Sequence, residues 1–122
     1  LQDRHCPILD RAYSALIDDL SDRGMLDDTL LIAMGEFGRT PKISNRAARE
    51  HHKDCYFSIW AGGGIEPGRV IGESDAKAEH PITRPITPLQ VGTTIAELCG
   101  IGARKRAEMK VLDGGSVIHE LI

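Results

Sequence analysis

The chain has 122 residues, of which 41% are hydrophobic and 27% are charged, values that are typical of one globular domain. A formal net charge of -3, only 4% aromatic residues and the lack of a long basic run argue against nucleic acid as a partner. No apolar run approaches the roughly 20 residues that a membrane helix needs, so no membrane partner is expected either.

The three cysteines carry little information about the cellular compartment. They are widely spaced and form no Cys-x-x-Cys pair, so we expect buried free thiols at Cys6, Cys55 and Cys99. The chain starts at Leu1 rather than at a methionine and shows no signal peptide, which we interpret as a processed protein or a piece of a longer one.

The first predicted element is an amphipathic helix over residues 7–23. Pro7 suits the first helical turn, and Gly24 suits the residue just past the end. Its apolar residues recur every three or four positions and form one stripe, which we expect to pack on a sheet. The members of this stripe are Leu9, Ala12, Tyr13, Leu16, Ile17 and Leu20.

The second predicted element is a strand over residues 29–34 that ends at Gly35. An uninterrupted apolar run of this length is typical of a strand covered on both faces. In open α/β sheets, ligands bind outside the carboxyl ends of such strands, where Glu36 and Arg39 follow. A polar loop over residues 41–54, with adjacent histidines, comes next. This region therefore predicts a site for a metal ion, an anion or both.

The rest of the chain predicts further short elements. We expect a strand over 55–61 that stops at a turn of three glycines (62–64), an edge strand over 68–72 and an extended loop over 73–86. Within this loop His80 is expected to be an ordinary loop histidine and Asp75 to tie a turn.

The last third of the chain predicts one more helix and one more strand. Thr87 caps a helix that begins at Pro88 and runs to about Cys99, and an exposed basic segment (101–110) precedes a final strand over 117–122. The expected buried stripe of this helix consists of Val91, Ile95, Leu98 and Cys99. The resulting fold class is α/β, a mixed sheet covered by helices, in one domain over residues 1–122.

Several motifs of this chain occur together in a characteristic order. They are Gly24-Met25-Leu26-Asp27-Asp28-Thr29, Gly35-Glu36-Phe37-Gly38-Arg39-Thr40-Pro41, Arg49-Glu50-His51, Ala61-Gly62-Gly63-Gly64-Ile65, Gly68-Arg69-Val70-Ile71-Gly72 and Leu98-Cys99-Gly100-Ile101. Together they resemble the C-terminal part of the bacterial domain-of-unknown-function 1501 proteins, over about residues 7–119, and that family is similar to the alkaline phosphatase and sulfatase superfamily. The resemblance implies the C-terminal fragment of a larger alkaline-phosphatase-like domain, a metal-dependent hydrolase of phosphate or sulfate esters, and an exported, periplasmic location.

The resemblance also assigns roles to individual residues. Glu36 stands where the superfamily has an aspartate metal ligand, and His51 stands where it has a later histidine ligand. Phe37 occupies the place of a histidine ligand and cannot bind a metal. The family motif Gly-Arg-Asp-His-Trp reads Ala48-Arg49-Glu50-His51-His52 here. The superfamily nucleophile comes from an N-terminal segment outside this sequence, so the catalytic residues are unknown and we expect the isolated chain to be inactive.

The residue chemistry leaves two kinds of ligand open. Glu36, His51 and His52 are the candidate metal ligands, for zinc, manganese, calcium or magnesium. Arg39 and Arg49 are the candidate anion-binding residues, because a planar guanidinium holds two oxygens of a phosphate or sulfate at once. The alternative for Arg39 is an ion pair with a nearby carboxylate, either Glu36 or Glu50.

Two functions from different classes therefore remain. One is a metal-dependent ester hydrolase with a small-molecule phosphate or sulfate ester as substrate, and the other is a non-catalytic binding or assembly module on the same fold. Thr40 as a nucleophile and a structural zinc site that includes Cys55 are weaker alternatives. Exposed sheet edges favour a homodimer.

Overall fold

The computed structural model describes residues 3–122. It contains both helices and strands, so the α/β class is confirmed at that level. The helices are α1 (His5–Asp22), α2 (Pro88–Leu98) and α3 (Ala103–Met109), with 3₁₀ turns at Leu26–Asp28 and His119–Leu121. The strands are β1 (Leu31–Met34), β2 (Gly38–Arg39), β3 (His51–His52) and β4 (Ser58–Ala61).

The described strands form two small antiparallel sheets rather than one mixed sheet. β1 pairs with β4, with Leu31 opposite Ala61 and Met34 opposite Ser58. β2 pairs with β3 in a separate hairpin that follows β1 directly. The predicted strands at 29–34 and 55–61 are thus confirmed in shortened form.

Helix α1 contacts the β1–β4 sheet through part of its predicted stripe, whereas Leu9, Ala12 and Leu16 of that stripe are exposed. The Tyr13 hydroxyl lies 3.3 Å from the Leu31 carbonyl oxygen and 3.4 Å from that of Ile59, so it bridges both strands. Burial in this contact raises the pKa of Tyr13. Leu20 is buried and Ile17 is half-buried on the same side of the helix. None of the helices in the described part of the chain is long and apolar enough to cross a membrane.

Helix α2 begins and ends close to the predicted positions. The Thr87 hydroxyl accepts a hydrogen bond from the Gln90 backbone N–H, and the Gln90 side chain accepts one from the Thr87 backbone N–H, which completes a capping box. Val91, Ile95 and Leu98 are half-buried.

The expected burial of the cysteines is wrong in two cases. Cys99 and Cys6 are exposed, since Cys99 is the residue that caps the end of α2 and Cys6 lies in the first turn of α1. Cys55 is half-buried, and this burial raises the pKa of its thiol.

Three other expectations for the second half of the chain are wrong. Residues 68–72 form no strand, because Gly68 and Gly72 have φ values of 72° and 83° that are incompatible with extended strand geometry. The final segment is a 3₁₀ turn rather than a strand. The basic segment 101–110 contains helix α3, in which Arg106 is buried rather than exposed.

The best-buried part of the described chain is polar. Thr93 and Thr94 are 0% exposed and Arg106 is 7% exposed, whereas the buried apolar residues are Leu20 and Ile118. Each of these three polar side chains makes a hydrogen bond inside the fold. This polar cluster joins α2, α3 and the last residues of the chain.

Candidate functional site

The β2–β3 hairpin places the predicted site residues directly after the end of β1. Arg39 lies opposite His51, and Gly38 lies opposite His52. A further hydrogen bond, from the Thr40 N–H to the Glu50 carbonyl oxygen at 2.9 Å, continues the pairing. Since directly opposed residues share a face and successive residues alternate, Arg39 and His51 lie on one face and His52 lies on the other.

A glycine is required at position 38 because another backbone segment comes very close. A Cβ atom at Gly38 would lie 1.9 Å from the carbonyl oxygen of Cys55, too close for any side chain. The second glycine of Gly35-Glu36-Phe37-Gly38 therefore lets β2 pass against residues 52–55 and sets the position of Arg39.

On the first face, Phe37 contacts both candidate binding residues. Its ring centroid lies 3.8 Å from the centroid of the His51 imidazole, with 34° between the planes. The Arg39 guanidinium carbon lies 5.3 Å from the same Phe37 centroid. Phe37 lies in the bend that precedes β2, and its ring lies beside both the His51 imidazole and the Arg39 guanidinium. We call this group of three residues the Phe37 face.

The guanidinium of Arg39 keeps most of its donors available. Its Nη1 donates one hydrogen bond, to the Arg49 carbonyl oxygen at 3.3 Å. The alternative in which Arg39 forms an ion pair with Glu36 or Glu50 is wrong, since none of the salt bridges within residues 3–122 involves Arg39. Arg39 is exposed, so an anion can reach the remaining N–H groups.

The side chain of Arg49, by contrast, holds the hairpin loop together. Its Nη1 donates to the Thr40 carbonyl oxygen at 2.8 Å and also to the Pro41 carbonyl oxygen. The Thr40 hydroxyl donates to the Lys42 carbonyl oxygen and accepts from the Glu50 N–H at 3.0 Å. These contacts order the loop, and they occupy the Thr40 hydroxyl in two hydrogen bonds.

An open cleft of about 420 Å³ lies at the loop end of the hairpin. Its lining combines hydroxyl and amide groups with two cationic side chains and one carboxylate. Its lining residues are Thr40, Lys42, Ile43, Ser44, Asn45, Arg46 and Glu50. Sequence reasoning did not single out this cleft, because it arises only when the loop folds back on itself.

On the second face, His52 is tied to a neighbouring turn. Its Nε2 lies 2.9 Å from the Glu79 carbonyl oxygen. That turn is organised by Asp75, whose carboxylate accepts hydrogen bonds from the backbone N–H groups of Lys77, Glu79 and His80. These bonds, above all the one from Glu79, hold the pKa of Asp75 below its usual range. The predicted turn-forming role of Asp75 is confirmed.

The predicted metal ligands do not converge within the described chain. His51 and His52 are adjacent residues on opposite faces of the hairpin, and Glu36 is exposed in the bend between β1 and β2. Residues 3–122 contain no group of three or more His, Cys, Asp or Glu side chains placed to hold a metal ion. A zinc site needs at least three protein ligands, so the described residues alone do not fit a metal ion.

Sequence reasoning also missed the structural role of Phe37. Phe37 lies in the bend before β2, so no strand periodicity in the sequence connects it with Arg39. Its contact with His51 required the hairpin register, which the separate segments do not reveal.

One comparison with known proteins gave a result. The sequence model of a family described as "Protein of unknown function (DUF1501)" matches residues 1–122. No curated protein and no solved structure matches the chain significantly.

Proposed function

The chain belongs to the DUF1501 family of proteins of unknown function, and from this premise we propose that it supplies the oxyanion-binding part of a phosphate- or sulfate-ester hydrolase. The observation that carries the proposal is the cross-strand pair of Arg39 and His51, directly after β1, with donors of Arg39 left available. The similarity of the family to the alkaline phosphatase and sulfatase superfamily is part of this proposal, as is an exported location.

The chemistry of the pair suits a tetrahedral oxyanion. A guanidinium presents parallel N–H groups that match two oxygens of a phosphate or sulfate, and an imidazole N–H on the neighbouring strand adds a third donor. The Phe37 ring lies beside both side chains, and contacts of this kind would reduce the entropy lost when an anion binds. The neighbouring cleft at Thr40–Arg46 would take the organic part of an ester.

A metal centre is part of this proposal with Glu36 and His51 as the contribution of this chain, and without His52, which lies on the other face of the hairpin at the Glu79 carbonyl oxygen. Since they do not form a site by themselves, such a centre needs ligands from other residues, and we derive no catalytic step through a metal ion. The nucleophile of the proposed hydrolase also comes from outside these residues. Thr40 is a poor candidate because its hydroxyl is held in two hydrogen bonds of the loop.

A non-catalytic module that binds an anionic ligand is the second candidate function. It is favoured by Phe37, an aromatic residue that contacts both binding residues at a position where a metal ligand would serve catalysis. The two candidates share the anion site and differ only in turnover.

The first test is a titration of the chain with inorganic phosphate and inorganic sulfate, in which binding is measured by calorimetry and by NMR. Arg39→Gln and His51→Gln should each weaken binding at least tenfold, because each removes one side of the pair. Arg23→Gln is the matched control, since it removes one exposed arginine, next to the end of α1, that is paired with Asp19, and it should leave binding unchanged. Absent binding, or an equal loss in the control, contradicts the proposal.

Turnover is then measured on the product of the full gene with aryl phosphate and aryl sulfate esters. Hydrolysis that Arg39→Gln abolishes supports the hydrolase. Anion binding without hydrolysis supports the non-catalytic module. Strong hydrolysis that survives both Glu36→Ala and His51→Ala contradicts the assignment of this site.

A further inference from the structure

The register of the β2–β3 hairpin decides which side chain faces Arg39. In the observed register Arg39 lies opposite His51, and the next pair is Gly38 with His52. Opposed residues share a face, and a shift of one residue moves every side chain of a strand to the other face. A shift that brings Glu50 opposite Arg39 would therefore turn His51 to the second face and put a carboxylate beside the guanidinium.

The two strands by themselves specify this register only weakly. β2 is Gly38–Arg39 and β3 is His51–His52, so neither strand has an apolar side chain whose burial would fix its face. The loop between them, residues 41–49, is too long to set the register in the way that a two-residue turn does. The consecutive histidines also make two registers chemically similar, because a shift puts one imidazole in the place of the other.

One contact outside the hairpin distinguishes the two registers. The His52 Nε2 atom lies 2.9 Å from the Glu79 carbonyl oxygen. Because a carbonyl oxygen only accepts hydrogen bonds, Nε2 carries the proton and donates it. His52 is half-buried, whereas His51 is exposed. The observed register thus gives the less accessible imidazole a partner inside the protein.

The turn that supplies the acceptor is ordered by its own hydrogen bonds. The Asp75 carboxylate accepts from the backbone N–H groups of Lys77 and Glu79 at 2.9 Å each. It also accepts from the His80 N–H at 3.2 Å, and the Asp75 N–H donates to the His80 carbonyl oxygen at 2.9 Å. The Glu79 carbonyl oxygen is therefore held in place, so little entropy is lost when His52 bonds to it.

We propose that His52 is a positioning residue, because its bond to Glu79 selects the register of the hairpin. The selected register puts His51 opposite Arg39 and keeps the Glu50 carboxylate away from that guanidinium. In the shifted register, an ion pair between Arg39 and Glu50 would occupy the donors that an anion needs. This effect on anion binding rests on the proposed function, whereas the selection of the register does not.

The test is NMR of the chain without any anion, at the contact between the Phe37 and His51 rings, whose centroids lie 3.8 Å apart. His52→Leu removes the donor and should abolish the nuclear Overhauser effects between these rings. His52→Gln retains an N–H at a similar reach and should keep them. His119→Leu is the matched control, since His119 is exposed in the last 3₁₀ turn, and it should change nothing at the hairpin.

Titration of the same variants with inorganic phosphate measures the consequence for the anion site. His52→Leu should weaken binding at least tenfold, and His52→Gln should bind like the unaltered chain. Glu50→Gln in the His52→Leu background should recover part of the loss, because it removes the competing carboxylate. An unaltered chain that binds no phosphate contradicts the proposed function alone, and the NMR contacts then decide the register.

Three results overturn the selection of the register by His52. Contacts between Phe37 and His51 that persist in His52→Leu assign the register to the close pass of Gly38 against Cys55. An equal loss in His52→Gln assigns it to the shape of the imidazole ring rather than to the hydrogen bond. If His52→Leu loses the protected amides of α2 and is unfolded, nitrogen NMR of the unaltered chain decides. A neutral His52 ring protonated at Nδ1 instead of Nε2 has no bond to donate there and contradicts the proposal.

Discussion

The α2–α3 region and the β2–β3 hairpin use polar side chains in opposite ways. Thr93, Thr94 and Arg106 are almost fully buried, and each has hydrogen-bond partners inside the fold. Arg39 and His51 are exposed, and Arg39 keeps most of its donors available. A buried polar group must be paired, because an unpaired one costs about 1–3 kcal/mol. Buried polar groups with hydrogen-bond partners therefore stabilise this fold, whereas exposed polar groups with available donors are the candidates for ligand binding.

The largest effect should come from Arg106→Ala. Arg106 Nη1 lies 2.6 Å from Glu97 Oε2 and donates to the Ile101 carbonyl oxygen at 2.7 Å. Removal of one partner of a buried ion pair is strongly destabilising, and partial exposure of Glu97 reduces the expected loss to about 3 kcal/mol of unfolding free energy. Urea denaturation measures it. Arg104→Ala, at a side chain that is 95% exposed, should change stability by less than about 0.5 kcal/mol.

A smaller loss of stability is expected at the two buried threonines, Thr93 and Thr94, and it should differ between them. The Thr94 hydroxyl donates to the Gln90 carbonyl oxygen and accepts from the buried Ile118 N–H at 2.9 Å. Thr94→Val leaves that N–H unpaired and should cost about 2 kcal/mol in thermal or urea denaturation. Thr93 only donates, to the Leu89 carbonyl oxygen, so Thr93→Val should cost less than about 1 kcal/mol. Equal losses would show that the Ile118 bond is not what stabilises this region.

A substitution in the β2–β3 hairpin should change anion affinity more than the free energy of unfolding. Phe37→Leu removes the aromatic ring that stacks on His51, and aromatic pairs contribute about 1 kcal/mol. We expect the NMR resonances of the His51 ring to lose their ring-current displacement and phosphate affinity to fall severalfold. Phe57→Leu is the control, since Phe57 is 76% exposed. Unchanged His51 resonances in Phe37→Leu would show that the Phe37 ring does not stack on His51.

The smallest effect should be a pH dependence at the turn behind the hairpin. Backbone N–H groups, first that of Glu79, hold the pKa of Asp75 below its usual range. A lowered folded-state pKa contributes stability that is present above the unfolded value near 3.9 and is lost as pH falls through the folded value. Asp75→Asn should therefore flatten the acid side of a plot of unfolding midpoint against pH. Asp10→Asn, on the exposed face of α1, should leave that slope as it is.

The sequence predicted the elements whose signals are local. Helix α2 has its cap at Thr87, its proline at position 88 and its end near Cys99, all readable within a dozen residues. The stripe of α1 and the apolar run of β1 are equally local, and both appear where they were expected. The strand predicted at 68–72 failed because its two glycines adopt turn conformations that a short apolar pattern does not reveal.

The sequence named the residues of the candidate site, and the structure gave their arrangement. The sequence by itself placed Glu36, Arg39 and the two histidines after a strand end, since chain order and apolar periodicity are enough for that. Only the tertiary structure decided that Arg39 shares a face with His51 and Phe37, and that His52 turns to Glu79. It likewise decided that Arg106 is buried against Glu97. Strand register and burial depend on contacts between distant residues, and no local pattern of side chains encodes those contacts.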